Sequence, residues 1–383
     1  MRVLLVHNRY RIQGGEERSV ELQLDALRRA GVTHALLERS SAELSRSQAA
    51  RALLRGGQGE DDVETAAREL DADVVHVHNM LPLPGPRGLE AARGAGASVL
   101  LHLHNLRLFC AIGVAARDGG PCFRCHHRNT LPGLALNCRG SLPEAVVYAA
   151  ALARHQPAVF EAVDRFVVPS SYAAGQSALL GVPADRLEVL PHYVPAEAFA
   201  EHSRAERGSY ALVASRLSRE KGIDAAIEAA ASTGIPLRVA GEGPAAPELA
   251  ALAERSRAPV EFIGRLGRAS VARELAGAAM LLMPSRYHEF APYSALEAMA
   301  AGVPVIACAL GGLPEMIGAN RCVSPNDPAA LAARMTLLWG DRDLRVADGQ
   351  ELIARARTKH DEARYTERLL DLYGRVASGA RPG

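Results

Sequence analysis

Short apolar runs recur along this chain, each closed by a polar or glycine-bearing loop and followed by a helix-forming stretch. The runs are Val3–Val6, Asp73–Val77, Ser98–Leu103, Val163–Val168, Leu187–Leu190, Tyr210–Ala214, Leu237–Ala240, Val260–Ile263, Ala279–Met283 and Val303–Ala307. Continuous apolar runs of this length fit strands buried on both faces, as in parallel sheets covered by helices. Segments such as Val20–Leu27 and Ala295–Ala301 are built from helix formers. Gly302 then stops the second of these and Pro304 enforces the break. Strand, loop, helix and strand make a βαβ crossover. A chain of 383 residues is too long for one ordinary core. The pattern therefore predicts an α/β protein of two doubly wound domains.

The first domain is expected over 1–195. An insert at 106–155 breaks its strand–helix alternation. The polar stretch 196–208 reads as a linker. The second domain is expected over 209–360. Residues 361–383 hold an amphipathic helix with Tyr365, Leu369, Leu370, Leu372 and Tyr373 on its apolar face.

Composition narrows the function classes. The 48% hydrophobic fraction is that of a globular protein, and a net charge of +1 argues against a nucleic-acid binder. No apolar run approaches the roughly 18 residues needed to span a bilayer. The start, MRVLLVHN, reads as a first strand and not as a signal peptide, so the expected compartment is the cytoplasm. Residues 101–160 carry six Arg against two carboxylates. That points to an anionic acceptor or peripheral contact with an anionic lipid surface, beside the commoner solvated basic face. The chain has 42 Arg and two Lys, Lys221 and Lys359. Arg serves on most surfaces, so a Lys inside a motif marks a need for a compact charge.

The candidate chemistry gathers at strand ends, where ligands bind in such sheets. After Ala279–Met283 comes a loop and helix carrying Glu289 and Glu297, with seven residues between them. Carboxylates beside a helix N-terminus suit a sugar nucleotide, because one can accept sugar hydroxyls, the other ribose hydroxyls, and the helix end attracts phosphate. After Tyr210–Ala214, Arg216 and Lys221 lie five apart on one loop and can converge on a diphosphate. Gly14 and Gly15 follow the first strand and let backbone approach a phosphate. His78-Asn79 and His104-Asn105 end two further strands. The insert holds Cys110, Cys122, Cys125 and Cys138 in C-x11-C-x2-C-x12-C spacing, which fits a tetrahedral thiolate site or reduced structural cysteines. Gly241–Ala246 matches G-x-G-x-x-A after a strand, a dinucleotide fingerprint. Pro244 removes an amide that a pyrophosphate would need, and the unit does not open its domain's sheet.

E-x7-E at Glu289 and Glu297, then EAMAAGVPVIA from Glu297, GGLPE at Gly311–Glu315 and R-x4-K-G at Arg216–Gly222 resemble the donor-site signature of family-four retaining glycosyltransferases. That resemblance covers nearly the whole chain. It implies the GT-B fold, two Rossmann-like domains facing a central cleft, with the acceptor-binding domain first and the last helix crossing back to it. It implies transfer of a hexosyl or related group, with retention, from a nucleotide-diphosphate sugar, UDP- or GDP-linked. The acceptor, a glycan, lipid-linked glycan or natural product, stays unassigned. By the same resemblance Arg216 and Lys221 bind the diphosphate and stabilise the leaving group, Glu297 holds ribose and Glu289 the donor sugar. His104 lies beside the reaction centre, and His78 lines the acceptor side. Gly14 and Gly15 face the donor phosphates, and Gly264 and Leu266 lie against the base. Phe290, Ala291, Tyr293 and Ser294 line the donor loop, where the family is glycine-rich and this chain also has Pro292. No catalytic cofactor or metal is implied. Inserts with cysteines like these occur in a subset of the family, and a zinc there would be structural. The rival readings are a dinucleotide-dependent oxidoreductase, a non-catalytic nucleotide-sugar-binding protein and a GT-B epimerase.

Overall fold

Buried apolar strands build two separate parallel sheets in the computed structural model, which describes residues 1–10 and 14–379. The first holds β1 (Arg2–Arg9), β2 (Thr33–Ser40), β3 (Val74–His78), β4 (Ser98–His102), β7 (Arg165–Val168) and β8 (Leu187–Val189), in the order β2-β1-β3-β4-β7-β8. A two-stranded antiparallel pair, β5 (Ala116–Arg117) and β6 (Gly120–Pro121), stands apart from both sheets. The second sheet holds β9 (Tyr210–Ala214), β10 (Leu237–Ala240), β11 (Val260–Gly264), β12 (Ala278–Met283), β13 (Val305–Cys308) and β14 (Cys322–Val323), ordered β11-β10-β9-β12-β13-β14.

The two sheets are the cores of two compact units. The first comprises residues 1–115, 122–191 and 363–383, and the second residues 116–121 and 192–362. Val3 to Val6 and Ala279 to Leu282 are each at most 1% exposed, which is why these strands read as unbroken apolar runs. Edge strand β2 has no fully buried residue. Its mixed sequence, THALLERS, carries no such run, and the hydrophobic pattern passed over it.

In each sheet the order reverses beside the first strand, between β1 and β3 and between β9 and β12. Loops leaving the carboxyl ends of strands at such a switch point form the usual crevice of doubly wound sheets. The helix Glu362–Ala377 packs within the first unit, where the Tyr373 hydroxyl lies 2.8 Å from His76 Nδ1 and Ser98 donates to the Val376 carbonyl at 3.0 Å.

The polar stretch 196–208 is docked on the second unit through two short turns, Ala196–Ala198 and Ala205–Arg207. Ser203 donates to the Gly302 carbonyl at 2.6 Å, and the Arg345 guanidinium donates to the Ala205 carbonyl at 3.0 Å. The stretch that reads as a linker is thus anchored to the second unit through Ser203 and the Ala205 carbonyl.

His76 is fully buried beneath Tyr373, and burial pushes its imidazole pKa down to about 3. The folded chain therefore keeps it neutral while the unfolded chain protonates it below about pH 6.5. Stability should be level above that pH and fall as pH drops from 6.5 toward 3. Melting temperature across this range checks it, and His76→Gln should show a shallower acid slope.

Candidate functional site

At the switch point of the second sheet, the loop after β9 carries Lys221 and the loop after β12 carries Glu289. Lys221 Nζ donates to Glu289 Oε1 at 2.7 Å and to the Tyr287 hydroxyl at 3.0 Å. Tyr287 donates to Glu289 Oε2 at 2.6 Å, and Ser285 donates to Oε1 at 2.9 Å. The Glu289 side chain is 7% exposed and that of Lys221 19%. A carboxylate so buried needs several donors to remain charged, and here it has three. Burial alone would depress the lysine pKa, but the Glu289 charge and the Tyr287 oxygen outweigh it and hold the ammonium above its ordinary range. Burial and Glu289 likewise raise the Tyr287 phenol, against the pull of Lys221, so it stays a donor.

Close backbone contact holds these loops. At Gly311, where φ is +67°, a Cβ would overlap the Glu289 carbonyl oxygen, and the Gly312 N–H donates to that carbonyl at 2.7 Å. At Gly222, φ +64°, a Cβ would overlap the Pro284 carbonyl, while the Arg286 N–H donates to the Glu220 carbonyl at 2.8 Å. Left-handed backbone with no room for Cβ demands glycine at both places. The same logic explains Gly241–Ala246. Its glycines approach the Ser215 and Leu217 backbone, the Leu217 N–H donates to the Glu242 carbonyl at 2.9 Å, and the Ala245 N–H donates to the Leu217 carbonyl at 3.0 Å. Those glycines serve loop packing beside Arg216.

The other expected residues of this unit fall around the same strand ends. Arg216 is exposed on the Lys221 loop. Phe290, Ala291 and Tyr293 are buried, while Ser294 and Glu297 are half-buried on the helix Tyr293–Ala300. Pro292 is the N-cap of that helix, so the first-turn amides of Tyr293, Ser294 and Ala295 are all present. Pro292 itself has no amide to donate, so the N-cap contributes none. Tyr293 stacks on His192 with centroids 4.4 Å apart, and His192 Nδ1 lies 3.0 Å from the Ala291 carbonyl. Burial pushes the His192 pKa down to about 4. The Gly264 carbonyl accepts from the Gly241 N–H at 2.7 Å, and Leu266 is half-buried beyond it. Tyr287, Ser285 and His192 were not singled out from sequence, because a hydroxyl or imidazole partner has no characteristic spacing.

In the first unit His104 is half-buried at the end of its strand, and its Nε2 lies 2.9 Å from His78 Nδ1. His78 is fully buried, in a stack with His76, His102 and His104 whose successive ring centroids are 4.6, 4.9 and 4.1 Å apart. It is a core residue, not a wall of an open surface. Gly14 caps the helix Gly15–Arg29, and its N–H donates to Glu17 Oε2 at 2.7 Å. Beside it Asn105 donates to Glu16 Oε1 at 2.6 Å and to the Tyr10 hydroxyl at 3.3 Å, and the Arg107 guanidinium lies 4.1 Å over the Tyr10 ring. Burial, opposed by Arg107, pushes the Glu16 carboxyl up to about 7. All four insert cysteines are free thiols.

Gly311→Ala should displace the Glu289 backbone. Thermal unfolding should show a lowered melting temperature, and turnover should fall with it although no side chain of the cluster has changed.

Residues 195–356 match the family model described as "Glycosyl transferases group 1". D-inositol 3-phosphate glycosyltransferase 1 of Catenulispora acidiphila is 29% identical over 300 residues, 71% of this chain and 65% of that protein. Two further curated relatives are matched over only 19% and 48% of their own length. Sucrose-phosphate synthase of Thermosynechococcus elongatus superposes with a TM-score of 0.74 at 17% identity, covering 99% of this chain and all of that one (100%). HepE of Anabaena, solved in complex with UDP, gives 0.69 at 15% identity, covering 98% of this chain and 100% of that one. Residues 195–356 thus form a glycosyl transferases group 1 domain, on a chain with the GT-B fold.

Proposed function

We propose that the protein is a retaining glycosyltransferase that moves a sugar from a nucleotide-diphosphate donor to an acceptor. The observation that carries this reading is the Lys221–Glu289–Tyr287 cluster at the switch point of the second sheet, beside the first turn of the helix Tyr293–Ala300. The first-turn amides of this helix and Lys221 provide fixed positive charge for a diphosphate, with exposed Arg216 as a second cation. In the transition state, charge develops on the departing diphosphate, and these groups stabilise it there. They supply the charge neutralisation that a metal gives in other glycosyl transfers. Glu297, on the same helix, accepts from ribose hydroxyls, and Glu289 from donor sugar hydroxyls. Gly264 and Leu266 lie toward the base. Phe290, Ala291, Tyr293 and Ser294 shape the loop.

UDP is the donor nucleotide we favour, because HepE, which shares the fold, was solved with UDP and with UDP-glucose. Acceptor binding is assigned to the first unit, whose strand ends carry His104, Gly14, Gly15 and the Glu16 network. No helix among the described residues is long and apolar enough to cross a membrane.

A thermal-shift panel of nucleotide sugars identifies the donor, since binding to the native state raises the melting temperature. Product analysis by NMR at the anomeric centre then tests retention, and an inverted product would refute it. Lys221→Ala should lower turnover by about 10²–10³, the scale of one lost transition-state donor. Glu289 keeps Tyr287 and Ser285 as donors, so the variant should fold with a modestly lower melting temperature. Near-normal turnover in that folded variant would remove Lys221 from the reaction. Activity should also survive EDTA over the assay time. A loss on chelation that Mg²⁺ or Mn²⁺ restores, and Zn²⁺ does not, would contradict the assigned role of the two cations.

A further inference from the structure

The helix Leu142–Ala162 turns an apolar side to solvent. Its inward positions, among them Ala145, Ala149, Leu152, Gln156 and Val159, are buried. A surface helix ordinarily carries polar residues on the opposite face. Here that face reads Leu142, Val146, Ala150, Ala153, Arg154 and Pro157, all exposed or half-buried. Leu142 is 59% exposed and Val146 47%. Leu131, which opens the short helix Leu131–Ala135, is 69% exposed, and Leu54, near the end of the helix Arg46–Arg55, is 45% exposed. Side-chain bonds tie these pieces together. Thr130 donates to the Ala149 carbonyl at 2.8 Å, and His155 Nε2 lies 3.0 Å from the Leu54 carbonyl. Single exposed leucines are ordinary, but large apolar side chains gathered on adjoining helices of one unit mark an interaction surface.

The charge around this face has one sign. Arg55, Arg128 and Arg154 are exposed, and among the described residues none of them pairs with a carboxylate. Elsewhere in the same unit Arg39, Arg68, Arg87 and Arg93 each hold a carboxylate at 2.5 to 2.9 Å. Arg128 Nε donates to the Ala153 carbonyl at 3.0 Å, which lays the guanidinium against the helix and leaves its terminal nitrogens for an anion. Arg128, Arg154 and His155 line an open depression together with Ala150 and Ala153. Between residues 119 and 160 the one carboxylate is Glu144, and Arg139 takes it up at 2.9 Å. Glu161 lies beyond the apolar stretch, at the far end of the helix.

We propose that this face docks the first unit on an anionic phospholipid bilayer, with Leu131, Leu142 and Val146 entering the headgroup–acyl boundary and Arg128 and Arg154 binding lipid phosphates. Guanidinium forks match phosphate oxygens. A bilayer takes up protruding apolar side chains without a matching pocket, as it does for interfacial amphipathic helices. A nucleic acid would use the arginines but leave the leucines in water. A second copy of this chain would present the same face, so arginine would meet arginine with no free carboxylate between them. Acceptor binding is assigned to this same unit. On the glycosyl-transfer reading, a lipid-linked acceptor would therefore meet the enzyme at the surface on which it is docked.

Full-length protein should float with phosphatidylcholine vesicles that contain phosphatidylglycerol and stay behind with phosphatidylcholine alone, and added salt should weaken the binding. Arg128→Ala and Arg154→Ala should each lower partitioning about fivefold, the scale of one cation at an anionic surface. Leu142→Ser should lower it about tenfold through lost apolar burial. Leu337→Ser, at a comparably exposed leucine (49%) of the second unit, should leave it unchanged. All these side chains are exposed, so melting temperatures should match the wild type. No binding to the anionic vesicles, or equal binding to both kinds, would overturn the proposal. Binding that needs the arginines but is indifferent to Leu142 would reduce the face to a solvated basic surface and overturn it too. Dimerisation abolished by Leu142→Ser, without vesicle binding, would give the face to a second copy instead. Flotation uses no donor sugar, so its failure would leave the glycosyl-transfer reading standing, and failure of that reading would leave the docking face intact.

Discussion

Glu289 is a carboxylate held almost out of water, and that constraint organises the second unit. Such a charge is tolerated only with close donors, and the three it has come from two different loops. Lys221 follows β9, while Ser285 and Tyr287 follow β12. These strands are neighbours only because the sheet order reverses there. The ion pair thus depends on the topology. It also depends on Gly222 and on Gly311, in the loop after β13, whose missing Cβ atoms let their backbones rest on the Pro284 and Glu289 carbonyls. A side chain at either position would separate the charges before any change to the charges themselves.

What the sequence disclosed follows from this physics. Strands buried on both faces are unbroken apolar runs, so Val3–Val6 and Ala279–Met283 were legible. Edge strand β2 buries no residue fully and left no run to find. Lys221 stood out because Arg fills almost every other cationic position. Tyr287 and Ser285 did not, since a hydroxyl two or four residues before a carboxylate is commonplace. Gly241–Ala246 shows the converse. The spacing imitates a dinucleotide site, but the glycines answer to the neighbouring Leu217 backbone. A glycine pattern reports close approach without naming what approaches.

The first unit hides its chemistry differently. His76, His78 and His102 alternate with apolar residues along two paired strands, so the sheet itself aligns them on one face. His78 therefore reads in sequence as a strand-end ligand yet lies in the core. The Glu16 network was invisible for another reason. Tyr10 and Glu16, from the end of β1 and the helix after it, meet Asn105 and Arg107 about ninety residues on, and only the parallel course of β1 and β4 within one sheet brings them together.

A buried Lys–Glu pair is weak evidence for stability, because an apolar pair of similar volume often serves a fold as well. Its presence at a switch point therefore argues for use. Glu289 keeps Lys221 charged despite burial, so the cation does not depend on ambient pH. Tyr287 stays protonated and bridges both partners. An arriving diphosphate would offer Lys221 a second anion, while Tyr287 and Ser285 could go on satisfying Glu289. The carboxylate would then be free to turn an oxygen toward a sugar hydroxyl without being left unpaired. An apolar pair could hold the two loops together, but it could not exchange partners in this way.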